Sequence, residues 1–434
     1  MIKTEEYQKR RLQLMKTIGD YAIIIMKSRA AHLRNGDAQY RYRQDSDFYY
    51  LTGFNEPDSI LVLVTGNGEA RQILFCREAH PEKIIWDGPM AGTSGAVADY
   101  GFDEAFDIKE IDQRLPLLIQ GKEKVAFKIG DDEAFDQKIS YWMRSIEQRK
   151  GHKSKAPEEF VSISHIIHDM RLYKSTTEIK CMKKSAEIAA NAHIRMMQAC
   201  RPGLYEYDLQ AEYLHELTKQ QSEPSYLPII GGGDNGCILH YINNNKRLID
   251  GDLVLIDAGA EYDFYASDIS RTVPVNGRFS ARQKDLYAVV LQAQKDAIAA
   301  VQVGNTWNSP HEIAVKTLSQ GLLDLGILKG NLSQVLEEKS YRKYYMHMTG
   351  HWLGLDVHDC GDYRVDDLWI ELETNMVLTV EPGLYISQDS EAPKEWRGMG
   401  IRIEDDIQVT AKGPKVLSKA AVKEISDIES IMGH

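Results

Sequence analysis

Four short apolar runs punctuate the first part of the chain, at residues 22–26, 59–64, 72–76 and 124–128, and charged stretches of helical composition separate them. Runs of this length, bounded by polar segments, read as buried strands, and their alternation with helices predicts an α/β domain. Its last helical stretch covers residues 162–172. Ser175-Thr176-Thr177-Glu178 follows, with serine and glutamate three residues apart as in a capping box, and opens a helix to about Ala199 that Pro202-Gly203 stops. The polar segment before that cap divides the chain near Lys174, into residues 1–173 and 174–434.

Beyond Lys174 the order is helix, helix, strands, and then the same again. Helices at about 176–199 and 206–221 precede a strand pair within 253–273. Ser280 and Gln283 form a second capping box, for a helix to about Val301. Ser309-Pro310-His311-Glu312 predicts a further helix with Ser309 as N-cap, Pro310 at the first position and Glu312 at the third. Strands at 376–379 and 401–409 close the second half. Two α-α-β-β halves imply a pseudo-repeat of architecture without a sequence repeat, and a cleft between the halves is the natural place for a site.

The balance of charge narrows the partners. The 434 residues carry 52 Lys and Arg against 64 Asp and Glu, a net charge of −12, with no basic block to attract nucleic acid or an anionic membrane. A hydrophobic share of 43% excludes a disordered chain. The first ten residues mix acids and bases, and the longest apolar runs fall far short of the roughly 18 residues of a membrane span, so a soluble, cytoplasmic protein is expected. Five scattered cysteines without a CxxC pair indicate neither a disulfide framework nor a thiolate zinc site.

Candidate chemistry lies at the ends of the strands in the second part. Asp257 ends the apolar run 252–257, and Asp268 sits eleven residues later in the returning strand, so a hairpin would bring the two carboxylates together. Such a pair repels unless a cation lies between its members or one of them caps a turn, and both readings stand for the pair alone. Three further features favour the cation. His347, His351 and His358 fall within twelve residues, Glu381 follows the apolar run 377–380, and Glu404 ends Gly400-Ile401-Arg402-Ile403-Glu404, where alternation sets Arg402 and Glu404 opposite the two isoleucines. Four carboxylates and one imidazole make an oxygen-rich, thiol-free set suited to Mn²⁺ or Co²⁺, less so to a structural Zn²⁺, and their charge of −4 would balance two divalent ions.

These segments resemble the aminopeptidase P and prolidase family of metal-dependent Xaa-Pro peptidases, whose "pita-bread" fold is shared with methionine aminopeptidases. The likeness rests on IDAGAEYDFYASDISRTVPVNG, GHWLGLDVHD, LTVEPGLYI and GIRIEDD in the second part, and on YRQDSDFYYLTGFNEPDSILVL and WDGPMAG in the first. It implies an α/β N-terminal domain followed by an α+β pita-bread catalytic domain. It further implies that Asp257, Asp268, His351, Glu381 and Glu404 ligate two divalent ions, with Asp268 and Glu404 bridging them and a hydroxide between the ions as nucleophile. Mn²⁺ is the expected ion, with Co²⁺ or Zn²⁺ as alternatives. Glu381 resembles the family's proton shuttle, and His240, His358 and His347 resemble its substrate-holding and oxyanion-stabilising histidines. Tyr226, Tyr385 and Arg402 resemble pocket residues around the substrate proline, although Arg402 can equally be a structural partner of the acids. Trp86 is either a core tryptophan or a lid contributed to a neighbouring subunit. The chain departs from the family's usual pattern at Phe264 and at Met348-Thr349-Gly350, neither of which is a ligand. The glycine run 231–233 lacks the Lys-Ser/Thr of a phosphate loop. His32, His80, His152, His165, His168, His193, His215, His311 and His434 are expected to be ordinary core or surface residues.

A bond before proline is a tertiary amide without an N–H, which defeats peptidases that grip that group; metal polarisation of the carbonyl does not need it. The expected activity is therefore release of the first residue from peptides with proline second, by a homodimer or homotetramer. The first domain would restrict access and assist oligomerisation. The alternatives are a prolidase confined to Xaa-Pro dipeptides, a methionine aminopeptidase, a metal-independent amidinohydrolase of the same fold, and a non-catalytic pita-bread binding protein.

Overall fold

The computed structural model describes residues 2–66, 68–148 and 156–433, which divide into two compact units, Met1–Arg171 and Leu172–His434. The first unit is built on a six-stranded mixed sheet in the order Glu104–Asp107, Glu69–Cys76, Ile60–Gly66, Ala22–Lys27, Lys124–Phe127 and Glu159–Ser162. The middle of the sheet is antiparallel and its flanks are parallel. Ile23, Ile24 and Ile25 are all fully buried, because a central strand covered on both faces has no polar side to alternate with. One of those faces packs against Ile139, Trp142 and Ile146 of helix Glu133–Glu147. The two edge strands are only four residues long, too short to carry a pattern of their own.

Asp47, in helix Ser46–Thr52, is buried within this unit. Its carboxylate receives Arg171 Nη1 at 2.6 Å and lies 2.9 Å from Lys128 Nζ. Burial alone would push this carboxyl upward; His168, Arg171 and Lys128 together hold it well below the ordinary range. A carboxyl depressed in the folded state stabilises the protein above its unfolded value and ceases to do so as pH falls through its folded value.

In the second unit the two capping boxes form. Ser175 Oγ accepts from Glu178 N–H at 3.2 Å while Glu178 accepts from Ser175 N–H at 2.8 Å, opening helix Thr176–Ala199. Ser280 and Gln283 do the same for helix Ala281–Ala299. The third cap departs from expectation. Helix Ser309–Asp324 already includes Ser309, and its N-cap is Asn308, which makes no side-chain capping bond. The cause is local competition: Ser309 Oγ pairs with Thr306 Oγ1 at 3.0 Å, and Glu312 is occupied by Asn308 Nδ2 at 2.7 Å.

Strands Ile229–Gly232, Leu253–Asp257 and Ser270–Pro274 form one antiparallel sheet, and Val377–Val380, Asp405–Thr410 and Gly413–Val416 form another. Each follows its pair of long helices, which gives the two α-α-β-β halves of a pita-bread catalytic unit. Arg271, with no exposed surface, joins them. From the first sheet it donates to Asp405 Oδ1 at 2.8 Å and to the backbone carbonyls of Glu404 and Ala421. Asp263 and Phe264, both at positive φ, make the two-residue turn between strands Ala260–Tyr262 and Tyr265–Ala266, so Phe264 sits where glycine is usual.

Replacing Asp47 by Asn should destabilise the protein by about 3 kcal/mol at neutral pH, because Arg171 is left buried beside a neutral group. Urea unfolding checks this. The loss should begin to shrink as pH falls below about 4, where the unfolded carboxyl takes up a proton while the folded one, held well below its ordinary range, stays ionised.

Candidate active site

The strand ends of the second unit converge on a cavity of about 290 Å³, lined by Asp257, Asp268, His351, Glu381 and Glu404 together with His240, His347, His358 and Arg402. Asp257 is the last residue of its strand and stands in register with Ser270, so Asp268, two residues earlier, comes alongside it. Tyr226 Oη lies 2.5 Å from Asp257 Oδ1 and 2.6 Å from Asp268 Oδ1. Burial first, and then the two acids, hold its phenol well above its usual value, so it keeps its proton. One proton can serve only one of the two carboxylates at a time.

His351 is oriented from behind. Its Nδ1 can only donate to the Trp352 carbonyl, at 2.9 Å, which turns Nε2 toward Asp268 Oδ2 at 3.3 Å and Glu381 Oε1 at 3.8 Å. Gly350 makes this backbone path possible, because a Cβ there would fall 2.0 Å from the Thr379 carbonyl, while Thr379 Oγ1 accepts the His351 N–H at 3.1 Å. Burial would lower the imidazole, but Asp268 outweighs it and lifts the group to about 9. Burial lifts Glu381 to about 7 against the pull of His351 and Arg402, and raises Glu404 well above its usual range with help from Asp268 and Glu381. Asp257 is also raised, by burial, with Arg402 opposing.

The excess of buried negative charge is what a cation would relieve. One ligand atom each from Asp268, His351 and Glu404 lies within 4.8 Å of the other two. Asp257 and Glu381 face the same cavity without joining that cluster. Carboxylate oxygens with one imidazole fit a hard or borderline divalent metal, and no cysteine lines the cavity.

The other candidates take different places. Arg402 donates to Asp257 Oδ2 at 2.7 Å, to Ser270 Oγ at 2.9 Å and to Tyr385 Oη at 2.9 Å, so one of the four carboxylates already has a protein cation. Tyr385 in turn donates to His347 Nε2 at 2.8 Å, and His347 Nδ1 donates to the Met348 carbonyl at 2.7 Å. Both nitrogens of His347 are therefore engaged within the wall, and burial and Arg402 lower the ring to about 4, leaving it neutral. His358 stacks edge-on against His351 with centroids 4.4 Å apart, and burial followed by the His351 charge lowers it too. His240 stands exposed at the rim. Tyr226 and Tyr385 lie in the wall behind the acids.

Trp86 belongs to the first unit. It lies near the end of helix Pro81–Asp87, which Pro81 opens and Gly88, at φ 84°, ends. At 88% exposure it is not a core tryptophan. Of the histidines expected to be ordinary, His193 is buried and bonded to the Ala258 carbonyl, and His311 bonds Thr349 Oγ1 beside Tyr345. His152 and His434 lie outside the described residues.

Several residues behind the site escaped the sequence reading. Ser270 Oγ donates to Glu404 at 2.7 Å and receives Arg402. Asp406 accepts the Asp268 N–H at 3.1 Å, and the run of three acids at 404–406 was a signal for it. Lys174 Nζ and Asp359 Oδ2, both almost wholly buried, pair at 3.1 Å next to His358.

Comparison with known proteins agrees with this geometry. The model of metallopeptidase family M24 matches residues 180–411, and that of the aminopeptidase P N-terminal domain matches residues 7–127. The chain is 40% identical to Xaa-Pro aminopeptidases of Haemophilus influenzae and Escherichia coli, over 99% of its length and 97% and 98% of theirs. Among solved structures, Pseudomonas aeruginosa aminopeptidase PepP superimposes with a TM-score of 0.98 at 46% identity, covering 99% of this chain and 98% of that one. Zinc-substituted Escherichia coli aminopeptidase P in complex with product gives 0.97 at 40%, with the same coverage. With matched models on both units and relatives along nearly its whole length, the chain belongs to metallopeptidase family M24.

Proposed function

We propose that the chain is an Xaa-Pro aminopeptidase that uses two divalent ions to release the first residue from peptides with proline second. The observation that carries this reading is the convergence of Asp268, His351 and Glu404 within 4.8 Å, in a cavity that Asp257 and Glu381 also line. These five residues would hold the ions, which when bound polarise the scissile carbonyl and make hydroxide available at neutral pH. Hard oxygen donors favour Mn²⁺.

The remaining steps fall to the chain's own groups. Tyr226 and Arg402 hold Asp257 and Asp268 in place through the hydroxyl and guanidinium bonds already described. Glu381, lining the cavity beside the other acids, can take a proton and return it to the proline nitrogen as that nitrogen leaves. His358 and His240, both lining the cavity, donate hydrogen bonds to the substrate and to the oxyanion. His347 acts through Tyr385 and Arg402, because both of its nitrogens are occupied. Among the described residues no helix is long and apolar enough to cross a membrane. A cytoplasmic homodimer or homotetramer is the assembly we favour. The exposed neighbours Ile85 and Trp86 support a role for the first unit in contacting another copy and covering its site.

Four outcomes test this reading. Chelation should abolish peptidase activity and Mn²⁺ should restore it; full activity in metal-free protein would overturn the mechanism. Glu404→Ala should lose at least one ion by metal analysis, whereas His358→Ala should keep its metal and lose about 10²-fold in kcat, as expected of an oxyanion donor. Xaa-Pro-Yaa tripeptides should be cleaved, and cleavage of Xaa-Pro dipeptides alone would instead identify a prolidase. Trp86→Ala should lower kcat/KM about tenfold, the loss of one interface anchor, without changing thermal stability or metal content. Unchanged kinetics in that variant would leave Trp86 without a role.

A further inference from the structure

The loop that carries His240 leaves strand Ile229–Gly232, passes through the short 3-10 turn Gly233–Cys237 and returns at Lys246 toward the first turn of helix Glu206–Lys219. Its tip is open to solvent: Ile238 and Ile242 are 53% and 52% exposed, and His240 between them is exposed as well. Only the tip is unpacked, because Tyr241 at its base is buried against Ile229, Leu255 and Tyr385. Polar side chains hold it from below: buried Asn244, on the returning limb, accepts from Ile230 N–H and donates to the Pro228 carbonyl, and Glu206 reaches both limbs.

Glu206 is fully buried, and its carboxylate accepts four hydrogen bonds, all from this loop. Oε1 receives Gly232 N–H at 2.7 Å and Asn235 Nδ2 at 3.1 Å; Oε2 receives Tyr241 Oη at 2.7 Å and Lys246 N–H at 2.8 Å. The first pair comes from the outgoing limb of the loop and the second from the returning limb, so the two oxygens clamp both limbs together with His240 between them. The outgoing limb also packs on strand Met399–Arg402, which carries Arg402: Gly236 and Gly400 meet backbone to backbone, and a Cβ on Gly400 would lie 2.1 Å from the Gly236 carbonyl.

We infer that Glu206 is a positioning residue for catalysis, which sets His240 at the cavity by clamping the two limbs of its loop. This rests on the reading that His240 contacts substrate. A buried carboxylate with four donors is a high-stakes device, because an amide in its place presents an NH₂ to two donors on one limb and leaves a backbone N–H unpaired.

The test is Glu206→Gln in the metal-loaded, full-length protein, alone and combined with His240→Ala. We expect unchanged metal content, at least tenfold faster hydrogen exchange confined to residues 231–246, and about a tenfold fall in kcat/KM. In the His240→Ala background the same substitution should change kcat/KM less than twofold. An equal loss in both backgrounds overturns the proposal, since Glu206 would then act elsewhere, and so does unchanged activity in Glu206→Gln when His240→Ala is impaired. If His240→Ala is itself fully active, the reading of His240 fails and the inference falls with it. Should Glu206→Gln fail to fold, Tyr241→Phe, which removes one donor of the four, decides by the same non-additivity with His240→Ala.

Discussion

Four carboxylates share one buried cavity, and the arrangement of the second unit follows from the need to hold them there against their mutual repulsion. Burial penalises each charge, and every added acid raises the others, which is why Glu381 and Glu404 lie far above their ordinary range. Among the described residues that line the cavity, only Arg402 answers them with a permanent positive charge, and it is committed to Asp257. The protein carries this unfavourable electrostatics in its folded state, and divalent ions are the group that would relieve it. Stability given up at the site must be recovered around it.

Directly behind the acids, the two halves are fixed to one another. Arg271 and Asp405, both almost wholly buried, tie the first sheet to the second through an ion pair and backbone carbonyls, with Lys423 and Gln294 completing the bonds to Asp405. Burial would raise Asp405, yet Arg271 and Lys423 hold it at about 2, so it remains ionised where its neighbours Glu404 and Asp406 are driven toward protonation. Three consecutive acids thus meet three environments, set by strand alternation and by which cations each face meets. Breaking such a pair is costly even where forming it contributes little net stability, so it fixes the register of the halves more than it adds to their total energy.

The parts of this architecture that were legible in the sequence are those written in local pattern. Apolar strands ending in acids, the Ser175 and Ser280 capping boxes, and the close spacing of His347, His351 and His358 all reside within a few residues. Asp257, Glu381 and Glu404 could be picked out because each ends or follows an apolar segment, whereas the full set of five with Asp268 and His351 rested on resemblance to a known family. What could not be read was contact at long range. Tyr226 reaches carboxylates 31 and 42 residues away, and Ser270 joins Arg402 and Glu404 from more than 130 residues away. Ser309 shows the limit of even a local rule, since a neighbouring threonine competed for the hydroxyl that should have capped the helix.

A division of labour emerges from how the groups are mounted. The acids sit at the ends of strands and move only if the sheets move, which suits ligands whose spacing must be kept to a fraction of an ångström. His240 and His358 stand on connecting segments, where small adjustments to a substrate are possible. Yet each segment is tethered by a buried acid of its own: Glu206 beneath the first, and Asp359 paired with Lys174 beside the second. In both, the tethering carboxylate lies outside the lining of the cavity. A loop anchored at its base and open at its tip holds the His240 imidazole at the cavity rim while the tip stays exposed. The rigid half of the chemistry is thereby assigned to the sheets, and the adaptable half to loops whose freedom is confined to their ends.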